Sequence, residues 1–488
     1  MRYAMNYRLI GRIIAFILII EAIFMTPAAG ISLLYHEANS ALAIFKSMLI
    51  ILIVAGILLY CTRKFSTNFY AKEGLVSTGV AWIALSMLGA LPFYISRQIP
   101  SYIDCVFEMV SGFTTTGSSI LRDVEALDHG LLYWRSFSHW VGGMGVLVFL
   151  LAIVPLGGKN EGFTLHILRA ESPGPSVGKL VPRMRQTAKI LYLIYVALTV
   201  LDFIFLMLGG MNWFESLCHA FGTAGTGGFG VKADSYASYS PYLQNVTTVF
   251  MLLFGVNFSC YYLLLMKRAK EVFADEELRL YILIVVVSIL AIAWNISGLY
   301  GSLEEVFRHA AFQVATVVST TGYATTDFDQ WPAFSKGILL FLMLSGACAG
   351  STGGGMKVAR LMLFVKGARR SFHSTMHPSE VRKVRVNGVC VDEKVMSSVN
   401  GYLIFYVGII IISFLIISLD GFSVETNISA VMATFNNIGP GFDAVGPTCN
   451  FFAYSPLSKL VMIFDMLAGR LEILPMLVLF SRSTWKKN

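Results

Sequence analysis

Long apolar runs separated by short polar connections extend over most of the chain. Ten of these runs lie near residues 9–35, 41–61, 70–95, 131–156, 187–210, 242–266, 278–300, 335–365, 399–419 and 455–480. A helix needs about 20 apolar residues to cross the hydrocarbon core of a bilayer. In lipid the backbone must satisfy its own hydrogen bonds, which favours helices for these runs. The pattern therefore predicts an all-α polytopic membrane protein with ten spans.

Four of the connections between spans contain a second, shorter apolar stretch. These stretches follow the third, fifth, seventh and ninth spans, at residues 102–113, 213–221, 303–318 and 424–435. Stretches of 10–14 residues are too short to cross the membrane and are typical of re-entrant segments. We therefore expect four short helices that enter the membrane and return to the same side.

Each short stretch ends in a polar turn that contains glycine. The four turns occupy residues 114–118, 224–228, 319–323 and 436–440, and their alignment places Gly117, Gly227, Gly322 and Gly439 at one position. A repeat of fixed order indicates a repeating structural unit. The unit predicted here is a helix, a re-entrant pore helix, a glycine turn and a second helix.

The repeat divides the chain into seven segments. We predict two extra N-terminal helices (1–66), pore repeat 1 (67–160), a cytoplasmic loop (161–186), pore repeat 2 (187–270), pore repeat 3 with a broken second helix (271–366), a second cytoplasmic loop (367–398) and pore repeat 4 (399–488). Four equivalent units favour an arrangement around a pseudo-fourfold pore.

Glycine turns at membrane depth suit the passage of a dehydrated cation. Such an ion needs oxygen ligands in place of water, and backbone carbonyls aimed at one axis supply them. Glycine permits the positive φ angles that such a backbone requires, and the C-terminal end of each pore helix carries partial negative charge. Ordinary Gly/Thr loops are the alternative, but they do not explain four turns at equivalent places.

Composition and charge agree with a membrane protein. Of the 488 residues, 56% are hydrophobic and only 14% are charged, against about 25% charged residues in soluble domains. The net charge of +8 comes from basic residues concentrated in alternate connections and at both termini. By the positive-inside rule both termini are cytoplasmic, and no nucleic acid partner is needed to explain the charge.

The sequence offers little to support an enzyme. The seven cysteines are scattered without a C-x-x-C pair, which predicts neither a metal site nor a disulfide framework. The eight histidines are dispersed, and no H-E-x-x-H or G-x-S-x-G pattern occurs. We therefore expect a protein that is not an enzyme and that holds no organic cofactor.

Several motifs together resemble the TrkH/TrkG subunits of bacterial Trk potassium uptake systems, in the superfamily that includes KtrB and plant HKT proteins. They are Ser111-Gly-Phe-Thr-Thr-Thr-Gly117, Thr226-Gly-Gly-Phe229, Ser319-Thr-Thr-Gly-Tyr-Ala324, Phe435-Asn-Asn-Ile-Gly-Pro-Gly441, Gly346-Ala-Cys-Ala-Gly-Ser-Thr-Gly-Gly-Gly-Met-Lys357 and Gly469-Arg-Leu-Glu472. The resemblance implies potassium uptake through the bacterial plasma (inner) membrane. It also implies a homodimer and a cytosolic, nucleotide-binding regulatory partner of the KTN/RCK type (TrkA-like).

The resemblance also assigns the residues of the selectivity filter. Potassium, as the transported substrate, is expected at Thr115, Thr116, Gly117, Gly225, Thr226, Gly227, Thr320, Thr321, Gly322, Asn437, Ile438 and Gly439. Some plant relatives with serine at the first filter glycine prefer sodium, so the presence of all four glycines favours potassium. The chain lacks the Thr-Val-Gly-Tyr-Gly signature of tetrameric potassium channels. We therefore expect fewer ion sites and weaker discrimination than in those channels.

The eighth span is interrupted by a run of five glycines within ten residues, 346–355. Each glycine disfavours helix by about 1 kcal/mol relative to alanine, so a break is predicted. The resemblance implies an intramembrane gate formed by Gly346, Gly350, Ser351, Thr352, Gly353, Gly354, Gly355 and Lys357. A flexible glycine patch without a gating role is one alternative. A phosphate-binding loop is another, but Met356 occupies the place of its lysine.

A few polar residues interrupt the spans. Arg470 in the last span is interpreted as an electrostatic barrier on the pore axis, with an ion pair to an acid on another helix as the alternative. An alternative for Lys357 and Arg360 is that their side chains reach the cytoplasmic interface. Arg135 and His139 open the fourth span, and an anchor at the outer interface is the simplest interpretation for them.

Three other functions remain open for comparison. A proton- or sodium-coupled potassium symporter would usually show an inverted repeat, whereas these four units share one orientation. A less selective sodium/potassium pathway is compatible with the short filter motif. A purely structural scaffold leaves the four equivalent turns without a role.

Overall fold

The computed structural model describes residues 5–63, 70–143, 145, 184–380 and 382–485. Two helices, α1 (Tyr7–Leu34) and α2 (Ala38–Cys61), form an N-terminal hairpin. Helix α1 also packs against the first repeat. It is the more buried of the two, whereas α2 presents leucine and isoleucine side chains on the outside of the protein.

The four repeats follow in chain order. The first contains α3 (Ala71–Gly89), α4 (Leu91–Ile95), α5 (Tyr102–Phe113) and α6 (His129–Gly143). The second contains α7 (Met184–Leu208), α8 (Trp213–Gly225), α9 (Pro241–Phe254), α10 (Phe258–Leu265) and α11 (Ala269–Ala274).

The third repeat contains α12 (Glu276–Ile296), α13 (Leu303–Val318), α14 (Ala333–Ser345) and α15 (Val358–Met376). The fourth contains α16 (Glu393–Ile417), α17 (Val424–Phe435), α18 (Pro456–Arg470), α19 (Leu474–Phe480) and α20 (Arg482–Trp485). An antiparallel hairpin of β1 (Arg385–Val386) and β2 (Val389–Cys390) lies between these two repeats. Single 3₁₀ turns occupy Phe328–Gln330, Ser418–Asp420 and Asp443–Val445.

The four pore helices, α5, α8, α13 and α17, begin with the same local device. The side chains of Ser101, Asn212, Ser302 and Ser423 each accept a hydrogen bond from the backbone N–H three residues later. Such caps satisfy backbone donors that have no partner inside the helix. An acidic residue also lies in the first turn of each pore helix, where it complements the positive end of the helix dipole.

Each pore helix packs against the second helix of the preceding repeat, and the fourth repeat packs back onto the first. The four contacts are α8 with α6, α13 with α9, α17 with α14, and α5 with α18. These contacts close a circle of four units. The fold is therefore that of a polytopic helical membrane protein with a pseudo-fourfold arrangement of its repeats.

Six helices in the described part of the chain are long and apolar enough to cross a membrane, or seven if the bent pair α9–α10 is one span. Three of the predicted second helices are broken in the structure. Helices α9 and α10 meet at 89°, α14 and α15 are separated by residues 346–357, and α18 and α19 by residues 471–473. The sequence predicted only the break at 346–357. The predicted fourth span continues past Gly143, outside the described helix.

Candidate functional site

The turns after the four pore helices share one backbone conformation. The first residue of each turn with positive φ is Thr115, Thr226, Thr320 or Asn437, with φ between 54° and 61°. A glycine with positive φ follows two residues later, at Gly117, Gly228, Gly322 and Gly439. We call these four segments, residues 115–117, 226–228, 320–322 and 437–439, the filter ring.

The register of the second segment differs by one residue from the sequence alignment. The alignment placed Gly227 with Gly117, but Gly228 has the positive φ of 75°. The backbone hydrogen bond from Gly227 to Gly222 is the counterpart of the bond from Thr116 to Ser111. Two adjacent glycines follow Thr226, so composition could not show which of them adopts the left-handed conformation.

The filter ring closes on itself through contacts between glycine and carbonyl groups. A β-carbon built on each positive-φ glycine would overlap a carbonyl oxygen of the next segment. The pairs are Gly117 with Gly227, Gly228 with Thr321, Gly322 with Ile438, and Gly439 with Thr116, the last at 2.9 Å. Each carbonyl belongs to the residue just before the glycine of its own segment. Four backbone carbonyl groups are thus brought together in one closed ring.

Side chains tie the first and fourth segments together. The Asn437 amide donates to the Thr116 hydroxyl and to the Met466 carbonyl, both at 2.9 Å. The Ser118 hydroxyl donates to the Gly439 carbonyl at 2.9 Å. These contacts join residues more than 300 positions apart in the chain, so they fix the junction where the last repeat meets the first.

A buried network supports the first and second segments from behind. His139 contacts the Gly112 carbonyl through Nδ1 at 2.7 Å, and its Nε2 accepts the Phe229 N–H at 3.3 Å. Its ring also fills the space in which a β-carbon on Gly227 would lie. Gly227 is therefore needed for close packing, whereas Gly228 is needed for its backbone conformation.

Arg135 lies in the same network and is 2% exposed. Its Nε donates to Glu108 at 2.6 Å, its Nη1 donates to the Gly230 carbonyl at 3.0 Å, and its guanidinium lies over the Phe229 ring. The interpretation of Arg135 and His139 as interfacial anchors is therefore wrong. Nothing in the sequence distinguishes these two residues from other polar residues of a span. Only the fold reveals that they lie behind the filter ring.

An acidic group lies at the start of the fourth pore helix, beyond the filter. Asp443 accepts hydrogen bonds from Thr426 at 2.5 Å and from Ser423 at 2.7 Å. These two hydroxyl donors, of which Thr426 has the larger effect, hold the pKa of Asp443 below its usual range. The carboxylate therefore stays ionised near the N-terminus of α17, where negative charge is favourable.

The glycine-rich break between α14 and α15 lies directly against the filter ring. The Gly354 N–H donates to the Thr320 hydroxyl at 2.6 Å. A β-carbon on Gly353 would lie 2.9 Å from the Ser319 carbonyl, and one on Gly354 would lie 2.8 Å from the Asn436 carbonyl. Only glycine allows the loop to approach two filter segments this closely. We call residues 346–357 together with Arg470 the gate layer, after the function proposed for them below.

The loop packs against the break between α9 and α10 in the second repeat. The Phe254 carbonyl accepts the Thr352 hydroxyl at 3.2 Å, and the Gly255 carbonyl accepts the Cys348 N–H at 3.1 Å. In return the Phe258 N–H donates to the Gly350 carbonyl at 3.1 Å. The bend between α9 and α10 thus frees backbone groups that a continuous helix would have paired internally.

Arg470 joins three repeats at this level. Its guanidinium donates to the Thr352 carbonyl of the loop at 2.7 Å, and to the carbonyls of Gly142 and Gly143 at the end of α6. These partners are backbone carbonyls of the first and third repeats. The positive charge lies beneath the filter ring, between the first, third and fourth repeats.

Lys357 and Arg360 are buried, which does not support the alternative that their side chains reach the cytoplasmic interface. Lys357 is 7% exposed and Arg360 is 5% exposed. The Lys357 ammonium donates to the Gly353 carbonyl within the loop, and Arg360 pairs with Glu472 and lies over the Tyr402 ring. The ion pair connects α15 to the break after α18, so both charges serve to hold the gate layer together.

This arrangement can desolvate and pass a small cation. The filter ring supplies carbonyl oxygens, and four pore helices point their C-terminal ends at it. Within the described residues, no group of three or more His, Cys, Asp or Glu side chains is placed to hold a metal ion. The site is therefore one of backbone oxygens and does not resemble a metal-binding cluster of side chains.

The chain is similar to known proteins over almost its whole length. The cation transport protein family TrkH matches residues 40–487. The chain is 34% identical over 490 residues to the Trk system potassium uptake protein TrkH of Salmonella typhimurium, covering 99% of this chain and all of the relative. It is 31% identical over 488 residues to the Trk system potassium uptake protein TrkG of Escherichia coli, covering 99% of each.

A solved structure matches the fold. The crystal structure of the potassium transporter TrkH from Vibrio parahaemolyticus superposes with a TM-score of 0.89 at 30% identity. The match covers 99% of this chain and 100% of that chain. The similarity therefore extends over the N-terminal hairpin and all four repeats.

Proposed function

The chain belongs to the TrkH family of cation transport proteins, and from that premise we propose that it takes up potassium through a backbone-carbonyl filter. The closed ring of Gly117, Gly228, Gly322 and Gly439 with the neighbouring carbonyls carries this proposal. A ring of carbonyl oxygens replaces the hydration shell of a monovalent cation. The names of the relatives as potassium uptake proteins support potassium as the substrate.

The filter residues have separate roles in this proposal. The carbonyls of Thr116, Gly227, Thr321 and Ile438 face the ion, and the four positive-φ glycines turn them. Thr115, Thr226, Thr320 and Asn437 make the first left-handed turn after the pore helices, at the inner side of the ring. Gly225 makes no ion contact, because it is the last residue of α8 and packs against the backbone of His139.

The gate layer closes the pathway in the proposed mechanism. The loop occupies the space beneath Thr320 and Asn436, and Arg470 places a positive charge at the same level. A cation leaving the filter would meet both the loop and this charge. Conduction therefore requires the loop tip and the guanidinium to move away from the filter ring.

The wider assembly is also part of the proposal. We propose a homodimer in the bacterial plasma (inner) membrane, with both termini cytoplasmic, and a TrkA-like cytosolic subunit that binds nucleotide and controls the gate. The family membership and the designation of the relatives as parts of a Trk system support this arrangement. Such a partner supplies a ligand-driven movement that α15 and the gate layer transmit to the filter.

Cation flux into liposomes tests the proposal. The purified protein should pass potassium and rubidium in preference to sodium and lithium, and Gly117→Ser should shift selectivity toward sodium. The matched control is Gly408→Ser, because a β-carbon at Gly408 has open space around it. Equal passage of all four cations by the unmodified protein would contradict the proposal.

Two further measurements decide the mechanism of uptake. Reversal potentials recorded across a proton or sodium gradient separate a channel from a coupled symporter. A channel gives a reversal potential that follows the potassium gradient alone. Flux with and without the cytosolic subunit and nucleotide then tests the proposed regulation.

A further inference from the structure

We propose that Glu277 is a positioning residue that pins the base of the gate loop, so that only the tip at residues 351–354 moves when the pathway opens. This inference rests on the proposed function of that loop as a gate. Glu277 lies in the first turn of α12 and is 9% exposed. It is an acidic group at the edge of a membrane-spanning helix, with no role in the filter ring.

One carboxylate oxygen of Glu277 holds both ends of the loop. Its Oε1 accepts the Ala349 N–H at 2.6 Å and the Ala359 N–H at 3.1 Å. Ala349 lies near the start of the loop, and Ala359 lies just beyond its end, in the first turn of α15. A single side chain from α12 thus bridges the two limbs of the loop.

The contact with Ala359 replaces a missing helix cap. The residue at the N-cap of α15 is Lys357, which makes no side-chain cap hydrogen bond. The first backbone N–H groups of a helix have no internal partner and carry partial positive charge. Glu277 supplies the missing acceptor from another helix, which gives this buried carboxyl group a structural role.

Other contacts make the base rigid. The Val358 N–H donates to the Ala347 carbonyl at 3.0 Å and closes the loop at its neck. Gly350 and Gly355 have left-handed φ angles of 72° and 71°, and they lie between this base and the tip. Glycine changes its backbone conformation at little steric cost, so these two positions are suitable pivots.

The tip is held by separate contacts to other parts of the protein. Thr352 donates to the Phe254 carbonyl and accepts from Arg470, and Gly354 donates to Thr320. These partners belong to three different structural elements outside the loop. A displacement of the tip breaks these contacts one by one without disturbing the bridge made by Glu277.

The test uses the buried thiol of Cys348, which is 1% exposed and adjacent to Ala349. The exposed Cys61, Cys390 and Cys449 are first replaced by serine in the full-length protein. Labelling of Cys348 by a membrane-permeant maleimide is then followed by mass spectrometry of its peptide. Glu277→Ala removes the acceptor, Glu277→Gln keeps one oxygen acceptor, and Glu276→Gln on the neighbouring residue is the control.

We expect Glu277→Ala to accelerate labelling of Cys348 by about tenfold and to raise resting potassium flux, because two buried hydrogen bonds are lost. Glu277→Gln should restore most of the protection, and Glu276→Gln should resemble the parent protein. Unchanged labelling in Glu277→Ala would overturn the inference, as would Glu277→Gln labelling as fast as Glu277→Ala. Gel filtration shows that each variant is folded.

The two readouts separate this inference from the proposed function. Faster labelling of Cys348 with unchanged resting flux supports the bridge that Glu277 makes across the loop. The same result contradicts a gating role for the loop. Faster potassium flux without faster labelling contradicts the bridging role of Glu277 but agrees with the gating role proposed for the gate layer. The accessibility measurement does not depend on which cation the protein passes.

Discussion

The filter ring and the gate layer lie next to each other but are built on different principles. The filter ring repeats one backbone conformation four times, and its carbonyl groups are the ligands that we propose for the ion. The gate layer has no fourfold repeat, since its loop comes from the third repeat, its arginine from the fourth and the carbonyls that this arginine contacts from the first and third. Selectivity requires a rigid, symmetric set of oxygens, whereas gating requires a segment that is free to move.

The difference predicts that substitutions in the two layers affect different properties. A filter change should alter which cation passes, whereas a gate change should alter how often any cation passes. The following predictions test this separation in order of decreasing effect.

The largest effect is expected from an alanine at a positive-φ glycine. Gly439→Ala places a β-carbon 2.9 Å from the Thr116 carbonyl and adds about 1–2 kcal/mol of left-handed backbone strain. The ratio of potassium to sodium flux should fall at least about tenfold. Gly401→Ala is the matched control, because its β-carbon meets open space. Retained selectivity in Gly439→Ala would contradict a carbonyl role for the ring.

A change in the gate layer should raise flux without changing selectivity. Arg470→Ala removes contacts to the carbonyls of Thr352, Gly142 and Gly143. Hydrogen bonds from charged groups contribute about 1.5–3 kcal/mol each, so resting flux without a partner should rise roughly tenfold or more. Arg470→Lys keeps the charge and should give an intermediate value. A loss of selectivity in Arg470→Ala would show that the two layers are not separable.

The third prediction distinguishes the two adjacent glycines of the second repeat. Gly227→Ala should impair selectivity because the new methyl group meets the His139 ring. In the double variant with His139→Ala the clash is absent, so Gly227→Ala should cause little further loss. Gly228→Ala should remain impaired in the same background, because its positive φ disfavours a side chain. Selectivity measurements on the parent, Gly227→Ala, His139→Ala and the double variant form a double-mutant cycle. Equal behaviour of Gly227→Ala and Gly228→Ala in the His139→Ala background would reject the revised register.

The smallest effect is expected where the two layers touch. Thr320→Val removes the acceptor of the Gly354 N–H, which is worth about 1 kcal/mol. Resting flux should rise about fivefold while the backbone of the ring is retained. Thr375→Val on the exposed part of α15 is the control. A larger change in selectivity than in resting flux would assign Thr320 to the filter alone.

The sequence allowed the repeat to be predicted because its signals are local. Short apolar stretches that end in glycine identify the pore helices, and their spacing identifies the units. The breaks in the second and fourth repeats were missed because each is only three residues long and lacks a glycine run. The register at Gly228 was missed because backbone conformation is set by hydrogen bonds such as that from Gly227 to Gly222.

The buried residues that hold the site in place were the hardest to predict from the sequence. Arg135 and His139 are polar residues within a predicted span, and Glu277 lies just before one. The partners of all three lie in other helices or far along the chain. An isolated polar residue in a span shows that a partner is needed, but only the packing of the repeats identifies it. The polar N-caps of the pore helices were a local signal that could have been used.

The position of bound ions tests the central claim most directly. Crystals grown with rubidium or thallium as the only monovalent cation should show anomalous density surrounded by the carbonyl oxygens of Thr116, Gly227, Thr321 and Ile438. The density should disappear in Gly439→Ala and remain in Arg470→Ala. Density at another place, with none inside this ring in a protein that still transports the ion, would contradict the account.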